Sequence, residues 1–371
     1  FFIHIHTYTT FLLSSYSIIP HSHRNSSRRS PAALIANGSR AVHAMKVTVI
    51  GLGAMGGGMA RSLLRSPAVN EVSGFDLSPD LVSSFYDDAN AAGKATPTLS
   101  KKLTIDNFIN QSTDVVLIVL VNEAQCQSTC FGGDANLLSI LREGACVIVS
   151  STVSAEWSKS AFVQFTKKNI LFCDCPVSGG AVRALAGEIT IMASGEPSSL
   201  EYVDPLFQAM GKEIHIIPGG VGMGSTVKMV HQLLAGVHIV AAAEALTLAE
   251  KAGLDVNQVY DIVGGAAGAS WMFCDRGRRM IDSPDKVMSA LGIFIKDMDI
   301  VHSESKRLQC PTPLASAALQ QFIGGASLGL AREDDSSVVK VYETLAGVSV
   351  SQSRDKNGNE SNDEKGGDKR E

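Results

Sequence analysis

Several features are scarce in this sequence of 371 residues, and each scarcity excludes a class of protein. Lys and Arg form no basic stripe and the formal net charge is −5, so we predict no nucleic-acid partner. The seven cysteines are odd in number and lie mostly in apolar runs, which favours reduced thiols in an intracellular protein. Cys126 and Cys130 could share a helical face, but no second pair at zinc spacing accompanies them, so we predict no metal.

Both ends of the chain lack residue types that the middle contains. Residues 1–44 have no Asp, Glu or Met, and their arginines stand among Ser, Thr and His, a composition that can belong to a transit peptide. Because Met45 directly precedes KVTVIGLG, the alternative is a segment outside the functional protein, an artefact of how the gene was read. We therefore predict a cytoplasmic protein, or a mitochondrial one if a transit peptide is present. Residues 348–371 are predicted to be a disordered tail, charged and almost without large apolar side chains.

Short apolar runs alternate with helical patterns in the first part of the chain. Strands are predicted at residues 46–50, 72–76, 114–121, 145–151, 170–175, 189–193 and 213–217. The first five are mostly apolar runs rich in Val, Ile, Leu and Cys rather than strictly alternating ones, which is typical of parallel strands covered on both faces. The alternation predicts an α/β fold with a doubly wound, Rossmann-type sheet in a domain spanning residues 45–218.

The second part of the chain shows only helical patterns. Residues 220–253 form one long pattern that is apolar on nearly every side, which predicts a helix buried nearly all round. Polar residues such as Lys228 and Glu244 interrupt it too often for a membrane span, so we predict no membrane partner. Further helices are predicted around residues 256–263, 271–281, 290–306, 313–324 and 336–345. We expect an all-α domain at residues 219–347 that takes part in a homo-oligomer.

Five glycines crowd the stretch VIGLGAMGGGMARSLL at residues 49–64. A GxGxxG turn between a strand and a helix permits a tight turn, lets the backbone approach a pyrophosphate and packs the helix on the strand. Such a turn is weak evidence alone, but a carboxylate ends the next strand at Asp76, where it can accept hydrogen bonds from ribose hydroxyls. We predict that a dinucleotide binds at this turn, which consists of Gly51, Leu52, Gly53, Ala54, Met55 and Gly56.

Asp76 also predicts which dinucleotide binds. A carboxylate there would repel a 2′-phosphate, and the following LSPD contains no Arg to receive one, so we predict NAD and consider NADP less favoured. The alternative is an Asp that only stabilises the turn before Pro79. Val121, Asn122 and Thr152 follow other predicted strands and should complete the cofactor site, because ligands bind beyond the carboxyl ends of parallel strands.

A second group of residues predicts a site for an acid. Ser178, Gly179 and Gly180 place a hydroxyl beside backbone N–H groups, which makes a compact carboxylate receptor, although a loop that needs glycine only for its conformation is equally compatible. Lys228 is a lone cation near the start of the long helix, where burial would lower its pKa into the range useful for proton transfer. A lysine whose ammonium reaches solvent is the alternative.

Two further polar positions accompany this lysine. Gln232 lies four residues after Lys228 on the same helical face and could orient a substrate hydroxyl. Lys296 and Asp297 lie in FIKDMDIV, where a solvated charged patch is the plainer interpretation.

Taken together, these residues resemble the β-hydroxyacid dehydrogenase family from about residue 46 to residue 345. GLGAMGGGMA resembles the family's cofactor loop, DCPVSGGAVRALAGEITIM its substrate loop, GMGSTVKMVHQLL its catalytic helix and KDMDIV its C-terminal signature. The resemblance implies that Lys228 is the catalytic lysine, that the turn from Ser178 to Gly180 holds the substrate carboxylate, and that Lys296 closes against the nicotinamide side of the cleft.

One departure from the family pattern concerns the substrate. Many members have two Asn residues where this chain has His231 and Gln232, and the HQ pair resembles the L-threonate dehydrogenase branch. We therefore expect NAD-dependent oxidation of an L-threonate-type polyhydroxy acid. The alternatives are a 3-hydroxyisobutyrate or a tartronate semialdehyde/glycerate-type dehydrogenase, or a non-catalytic dinucleotide-binding module.

Overall fold

A sheet with helices on both faces occupies the first part of the chain. The computed structural model describes residues 44–94, 109, 112–283 and 286–351. Residues 1–43 of the segment predicted as a transit peptide or a gene artefact, and the part of the predicted tail beyond residue 351, lie outside the described residues. The described strands are β1 (Met45–Ile50), β2 (Val69–Phe75), β3 (Val115–Ile118), β4 (Cys146–Val149), β5 (Leu171–Asp174), β6 (Val177–Ser178), β7 (Ile189–Gly195) and β8 (Gly211–Ile216).

Five of these strands form the predicted parallel arrangement. Their order is β2-β1-β3-β4-β5, and every neighbouring pair is parallel. All residues of β3 and β4 are buried, because their Val, Ile, Leu and Cys side chains are covered on both sides. The order reverses between β1 and β3, and a ligand site is expected beyond the carboxyl ends of the strands at such a switch point.

The sheet continues in the opposite direction after β5. Strand β7 is antiparallel to β5 and to the short β6, and β8 is parallel to β7. Strand β6 was not predicted, since two residues give no usable periodicity. Strand β6 comes last in the strand order and pairs with β7 in the antiparallel direction, so its last residue, Ser178, lies at an edge of the sheet. Ser178 therefore does not lie directly beyond the carboxyl end of a parallel strand.

Helices cover the two faces of the sheet. They are α1 (Ala54–Arg65), α2 (Pro79–Ala91), α3 (Glu123–Phe131), α4 (Leu137–Ile140), α5 (Ala155–Thr166), α6 (Gly180–Ala186) and α7 (Pro197–Met210). One face packs against α1, α2, α6 and α7, and the other against α3, α4 and α5. Cys126 and Cys130 are both fully buried on one side of α3, so the predicted buried thiols are confirmed.

The remaining helices of the described chain pack around one central helix. Helix α8 (Met223–Lys251) is surrounded by α9 (Val256–Gly264), α10 (Trp271–Asp282), α11 (Leu291–Arg307), α12 (Pro313–Ser327) and α13 (Val339–Ala346). Two 3₁₀ turns, Leu330–Arg332 and Asp335–Val338, connect the last two helices. The predicted Rossmann-type sheet followed by a helical domain is thus confirmed, while the exact division at residues 218 and 219 stays a prediction.

Two details of the α8 prediction are wrong. The helix begins at Met223 rather than at residue 220, because Gly219, Gly220 and Gly222 have positive φ angles that a helix cannot include. It is also not buried nearly all round, since Val230 and Leu234 are each about half exposed. The sequence composition indicates that the helix is apolar, but it does not indicate which faces of the helix are covered by neighbouring elements.

Helix α8 is long and apolar enough to cross a membrane by length and composition, but it packs as a core helix. Just over half of its most apolar stretch is buried within the protein, against α10, α11, α12 and α13. Lys228 and Gln232 are themselves buried in it, which is expected of polar groups inside a protein and not of groups facing lipid.

Candidate active site

The glycine turn after β1 has a backbone that only glycine permits. Gly51 has a φ of +94°, and a Cβ at Gly56 would collide with the carbonyl oxygen of Gly51. Gly53 is exposed, with nothing within 4 Å of a Cβ placed there. No acidic residue stands in the first turn of α1 and no side chain caps it, so its backbone N–H groups remain for an anion. These features fit the pyrophosphate of a dinucleotide.

Asp76 stabilises this turn directly. Its Oδ2 accepts a hydrogen bond from Leu52 N at 2.8 Å, and its Oδ1 accepts one from Ser78 N at 2.9 Å. Asp76 therefore does stabilise the turn, as the alternative interpretation predicted. Each carboxylate oxygen keeps a further lone pair, so the predicted bond to a ribose hydroxyl stays a prediction.

The other predicted cofactor residues follow β3 and β4 at the same edge of the sheet. Val121 is exposed, and Asn122 caps α3 by accepting a hydrogen bond from Gln125 N at 2.9 Å. The carbonyl oxygen of Thr152 accepts a hydrogen bond from Lys296 Nζ at 3.2 Å, which brings α11 to the end of β4. Parallel pairing of β1, β3 and β4 brings these loops to the edge that carries the glycine turn.

A buried carboxylate anchors α8 to the sheet. Asp174 ends β5, is fully buried, and accepts hydrogen bonds from Gly222 N, Ser225 N and Ser225 Oγ at 3.1, 2.9 and 2.6 Å. Burial raises the pKa of this carboxyl, and the donors from Ser225, Ser194 and Gly222 act in the opposite direction. A carboxylate at a helix N-terminus interacts favourably with the helix dipole, so Asp174 fixes the end of α8 one turn before Lys228.

Lys228 is buried, with 7 % of its surface exposed. Burial lowers the pKa of its amine to about 8; Asp297 acts in the opposite direction and Lys296 adds to the lowering. Within the part of the chain that the structure describes, no hydrogen bond or ion pair holds the amine. The amine is therefore available for proton exchange near neutral pH.

Four side chains beside Lys228 form a continuous hydrogen-bonded chain, which we call the relay. Ser178 Oγ lies 3.1 Å from His231 Nε2, His231 Nδ1 lies 2.8 Å from Gln232 Oε1, and Gln232 Nε2 donates to Asp297 Oδ2. Asp297 is only 2 % exposed, and its Oδ1 lies 2.5 Å from Lys296 Nζ. A solvated patch is thus the wrong interpretation for Asp297.

The turn from Ser178 to Gly180 lies at one end of the relay. Gly179 and Gly180 have φ angles of +138° and +75°, so both positions need glycine for the backbone conformation. Among the described residues, the N–H of Gly179 donates to no partner. The turn therefore offers a hydroxyl and backbone N–H groups, but the hydroxyl already bonds His231.

The structure adds three residues that the sequence did not indicate as site residues. They are His231, seen only as a departure from a family Asn, and the buried carboxylates Asp174 and Asp297. The sequence signal for Asp174 was its position at the end of an apolar strand. The signal for Asp297 was its position beside Lys296 on a helix with an apolar face. A surface cavity of about 680 Å³, formed by α7 and residues 216–220, contains none of these side chains.

In the described segments, no group of three His, Cys, Asp or Glu residues could hold a metal ion.

Comparison with known proteins decides the family. Residues 46–219 match the NAD-binding domain of 6-phosphogluconate dehydrogenase, and residues 222–342 match the NAD-binding domain of NADP-dependent 3-hydroxyisobutyrate dehydrogenase. The chain is 38 % identical over 299 residues to L-threonate dehydrogenase of Pectobacterium atrosepticum, which covers 81 % of this chain and 94 % of the relative. It belongs to the 3-hydroxyisobutyrate dehydrogenase-like family of hydroxyacid dehydrogenases.

Other relatives agree with this family. The 2-(hydroxymethyl)glutarate dehydrogenase of Eubacterium barkeri is 33 % identical over 308 residues, covering 83 % of this chain and 98 % of the relative. A crystal structure of 3-hydroxyisobutyrate dehydrogenase from Salmonella typhimurium superposes with a TM-score of 0.71 at 38 % identity, covering 80 % of this chain and 99 % of that one. As a member of this hydroxyacid dehydrogenase family, the protein is an NAD(P)-dependent oxidoreductase that acts on a hydroxy acid.

Proposed function

We propose that this dehydrogenase oxidises an L-threonate-type polyhydroxy acid with NAD, using Lys228 as the general base. The observation that carries the proposal is the buried amine of Lys228, whose pKa is about 8 and which lies close enough to Asp297 and Lys296 of α11 for both charges to act on it. The 38 % identity to L-threonate dehydrogenases supports the substrate class. His231 and Gln232 also support it, since the family resemblance leads us to expect two Asn residues there in many other members.

The proposed cofactor site uses the turn from Gly51 to Gly56. Leu52, Ala54 and Met55 would line the pyrophosphate with the three glycines, and Val121, Asn122 and Thr152 would border the nicotinamide side. Asp76 would bind the ribose and disfavour a 2′-phosphate, which is why we propose NAD before NADP. Lys296 would close this side, supported by its hydrogen bond to the carbonyl of Thr152.

The residues divide the chemistry among them. A bound nicotinamide would supply the hydride acceptor for the substrate carbon. Lys228 takes the proton of the hydroxyl on that carbon, and the turn from Ser178 to Gly180 holds the acid so that this carbon faces the ring. Gln232, whose amide is held between His231 and Asp297 one helical turn after Lys228, would orient the same hydroxyl. The ammonium can also stabilise the alkoxide in the reverse reaction.

A substrate screen tests the proposal. L-threonate, D-glycerate and 3-hydroxyisobutyrate are offered with NAD, and NADH formation is followed; L-threonate should give the highest kcat/KM. Lys228→Ala should lower kcat by about 10²- to 10⁴-fold while NAD affinity is unchanged, since the lysine acts on the substrate proton. Lys251→Ala, at the exposed end of the same helix, is the control. Equal loss of turnover and NAD binding in Lys228→Ala would contradict the assigned role.

The pH dependence has a defined sign. Oxidation needs the unprotonated amine, so kcat/KM should rise with pH through about 8, and reduction of the keto acid should fall through the same pH. Identical profiles in the two directions would be incompatible with a lysine base.

We also propose that the protein works as a homo-oligomer in the cytoplasm. The half-exposed apolar side chains of Val230 and Leu234 on α8 support burial against a second copy. The free thiols of the described cysteines fit a reducing compartment. Light scattering after size exclusion tests the first point, with Leu234→Asp expected to yield monomer; a monomeric wild-type protein would refute it.

A further inference from the structure

The relay has a direction, because its last member can only accept hydrogen bonds. Asp297 is paired with Lys296, and an ionised carboxylate has no donor. The Gln232 amide must therefore present its nitrogen to Asp297, as it does. This orientation leaves the amide oxygen Oε1 facing His231, 2.8 Å from Nδ1.

The orientation of Gln232 sets the tautomer of His231. An amide oxygen only accepts, so Nδ1 of His231 must carry the proton that makes this bond. Burial lowers the pKa of His231, and the nearby charge of Lys228 lowers it further, although Gln232 and Asp297 act in the opposite direction. At and above neutral pH the imidazole is therefore neutral, and with the proton on Nδ1 its Nε2 carries a lone pair.

The tautomer of His231 in turn fixes the hydroxyl of Ser178. The two atoms are 3.1 Å apart, and since Nε2 accepts, Ser178 Oγ must donate its single proton to it. What Ser178 can still offer to the cleft is the lone pairs of its oxygen. A substrate carboxylate has only lone pairs as well, so it gains no hydrogen bond from this hydroxyl. A substrate hydroxyl, in contrast, can donate to it.

We propose that Ser178 is a specificity residue that accepts a hydrogen bond from a second hydroxyl of the substrate, and that His231 is the positioning residue that enforces this direction. The substrate carboxylate is then held by the backbone N–H groups of the turn, among them that of Gly179. The inference rests on the proposed function, because the second hydroxyl is counted from the one that Lys228 deprotonates. It revises the sequence-based expectation that the Ser178 hydroxyl binds the carboxylate.

The first experiment measures the tautomer without using catalysis. Nitrogen NMR of protein carrying ¹⁵N-labelled histidine separates protonated from unprotonated ring nitrogens. The His231 signal is assigned by its loss in His231→Asn, while His238→Asn, elsewhere on α8 and outside the relay, should keep it. We expect a neutral ring protonated at Nδ1. A ring protonated at Nε2, or at both nitrogens at about pH 8, would overturn the inference.

The second experiment measures specificity. L-threonate is compared with analogues that lack one of its non-reacting hydroxyls, and one such analogue should have a kcat/KM lower by about 10-fold in the wild-type enzyme. Ser178→Ala should abolish that preference through the KM of L-threonate, and leave kcat/KM for the poorer analogue within about 3-fold. A preference that survives in Ser178→Ala would refute the proposal.

A double-variant cycle separates positioning by His231 from a general structural effect. His231→Asn should lower the same preference, because the freed hydroxyl of Ser178 can then rotate and donate. The double variant should show no further loss, since both changes remove one interaction. Additive losses would refute the link between the two residues. If no acid yields NADH, the proposed function fails. The NMR measurement of the His231 tautomer still tests the direction of the hydrogen bonds in the relay, because it does not depend on activity.

Discussion

Replacement of Lys228 by methionine measures what the buried amine costs the folded protein. Burial is the main reason that the pKa of this amine falls from 10.5 to about 8. At about 1.4 kcal/mol per unit, this shift corresponds to about 3 kcal/mol. Below pH 8 both the folded and the unfolded chain carry the proton, so the folded state bears the whole cost. Methionine has a similar unbranched stem without charge, so we expect Lys228→Met to raise the free energy of unfolding by about 3 kcal/mol near neutral pH.

The pH dependence makes this prediction specific. Between pH 8 and pH 10.5 the folded wild-type protein has released the proton that its unfolded chain still binds, so its stability rises with pH and the difference from Lys228→Met closes. Urea unfolding of both proteins at about pH 7 and about pH 10 measures the difference. Lys168→Met controls for the loss of a charge, because the Lys168 side chain is exposed and makes no hydrogen bond or ion pair within the described residues. A variant that is less stable near pH 7, or a difference that is unchanged near pH 10, would refute the reasoning.

Three further substitutions test the scaffold around the site. Asp76→Ala should lower the ratio of kcat/KM for NAD to that for NADP, and an unchanged ratio would exclude Asp76 as the discriminating group. Asp174→Asn should lower the free energy of unfolding by about 2 kcal/mol or more, because buried donors at the start of α8 lose a charged acceptor; urea titration detects this, and a change within experimental error would contradict it. Gly58→Ala would place a Cβ 2.7 Å from Leu185 N of α6, so it should cost about 1–3 kcal/mol in the same assay. Gly324→Ala, with 3.5 Å to its nearest neighbour, is the control and should not destabilise.

The sequence determined the features that depend on neighbouring residues. The GxGxxG turn needs only six consecutive residues, and the buried strands β3 and β4 need only unbroken apolar runs, so both were predictable. Lys228 and Gln232 were also predictable as a pair, since four residues along one helix place both on the same face. The family pattern in these local motifs was enough to indicate a hydroxyacid dehydrogenase.

Only the tertiary structure decided how these pieces act together. Ser178 and His231 are 53 positions apart, Gln232 and Asp297 are 65 apart, and Lys296 and Thr152 are 144 apart. No local pattern encodes such partners, because they meet through the antiparallel step at β7 and the anchoring of α8 by Asp174. The same contacts decide which faces of α8 stay exposed and which atom of each polar group donates. Burial and hydrogen-bond direction are properties of the assembled fold, so the sequence could name the lysine and the serine but not the relay that orients them.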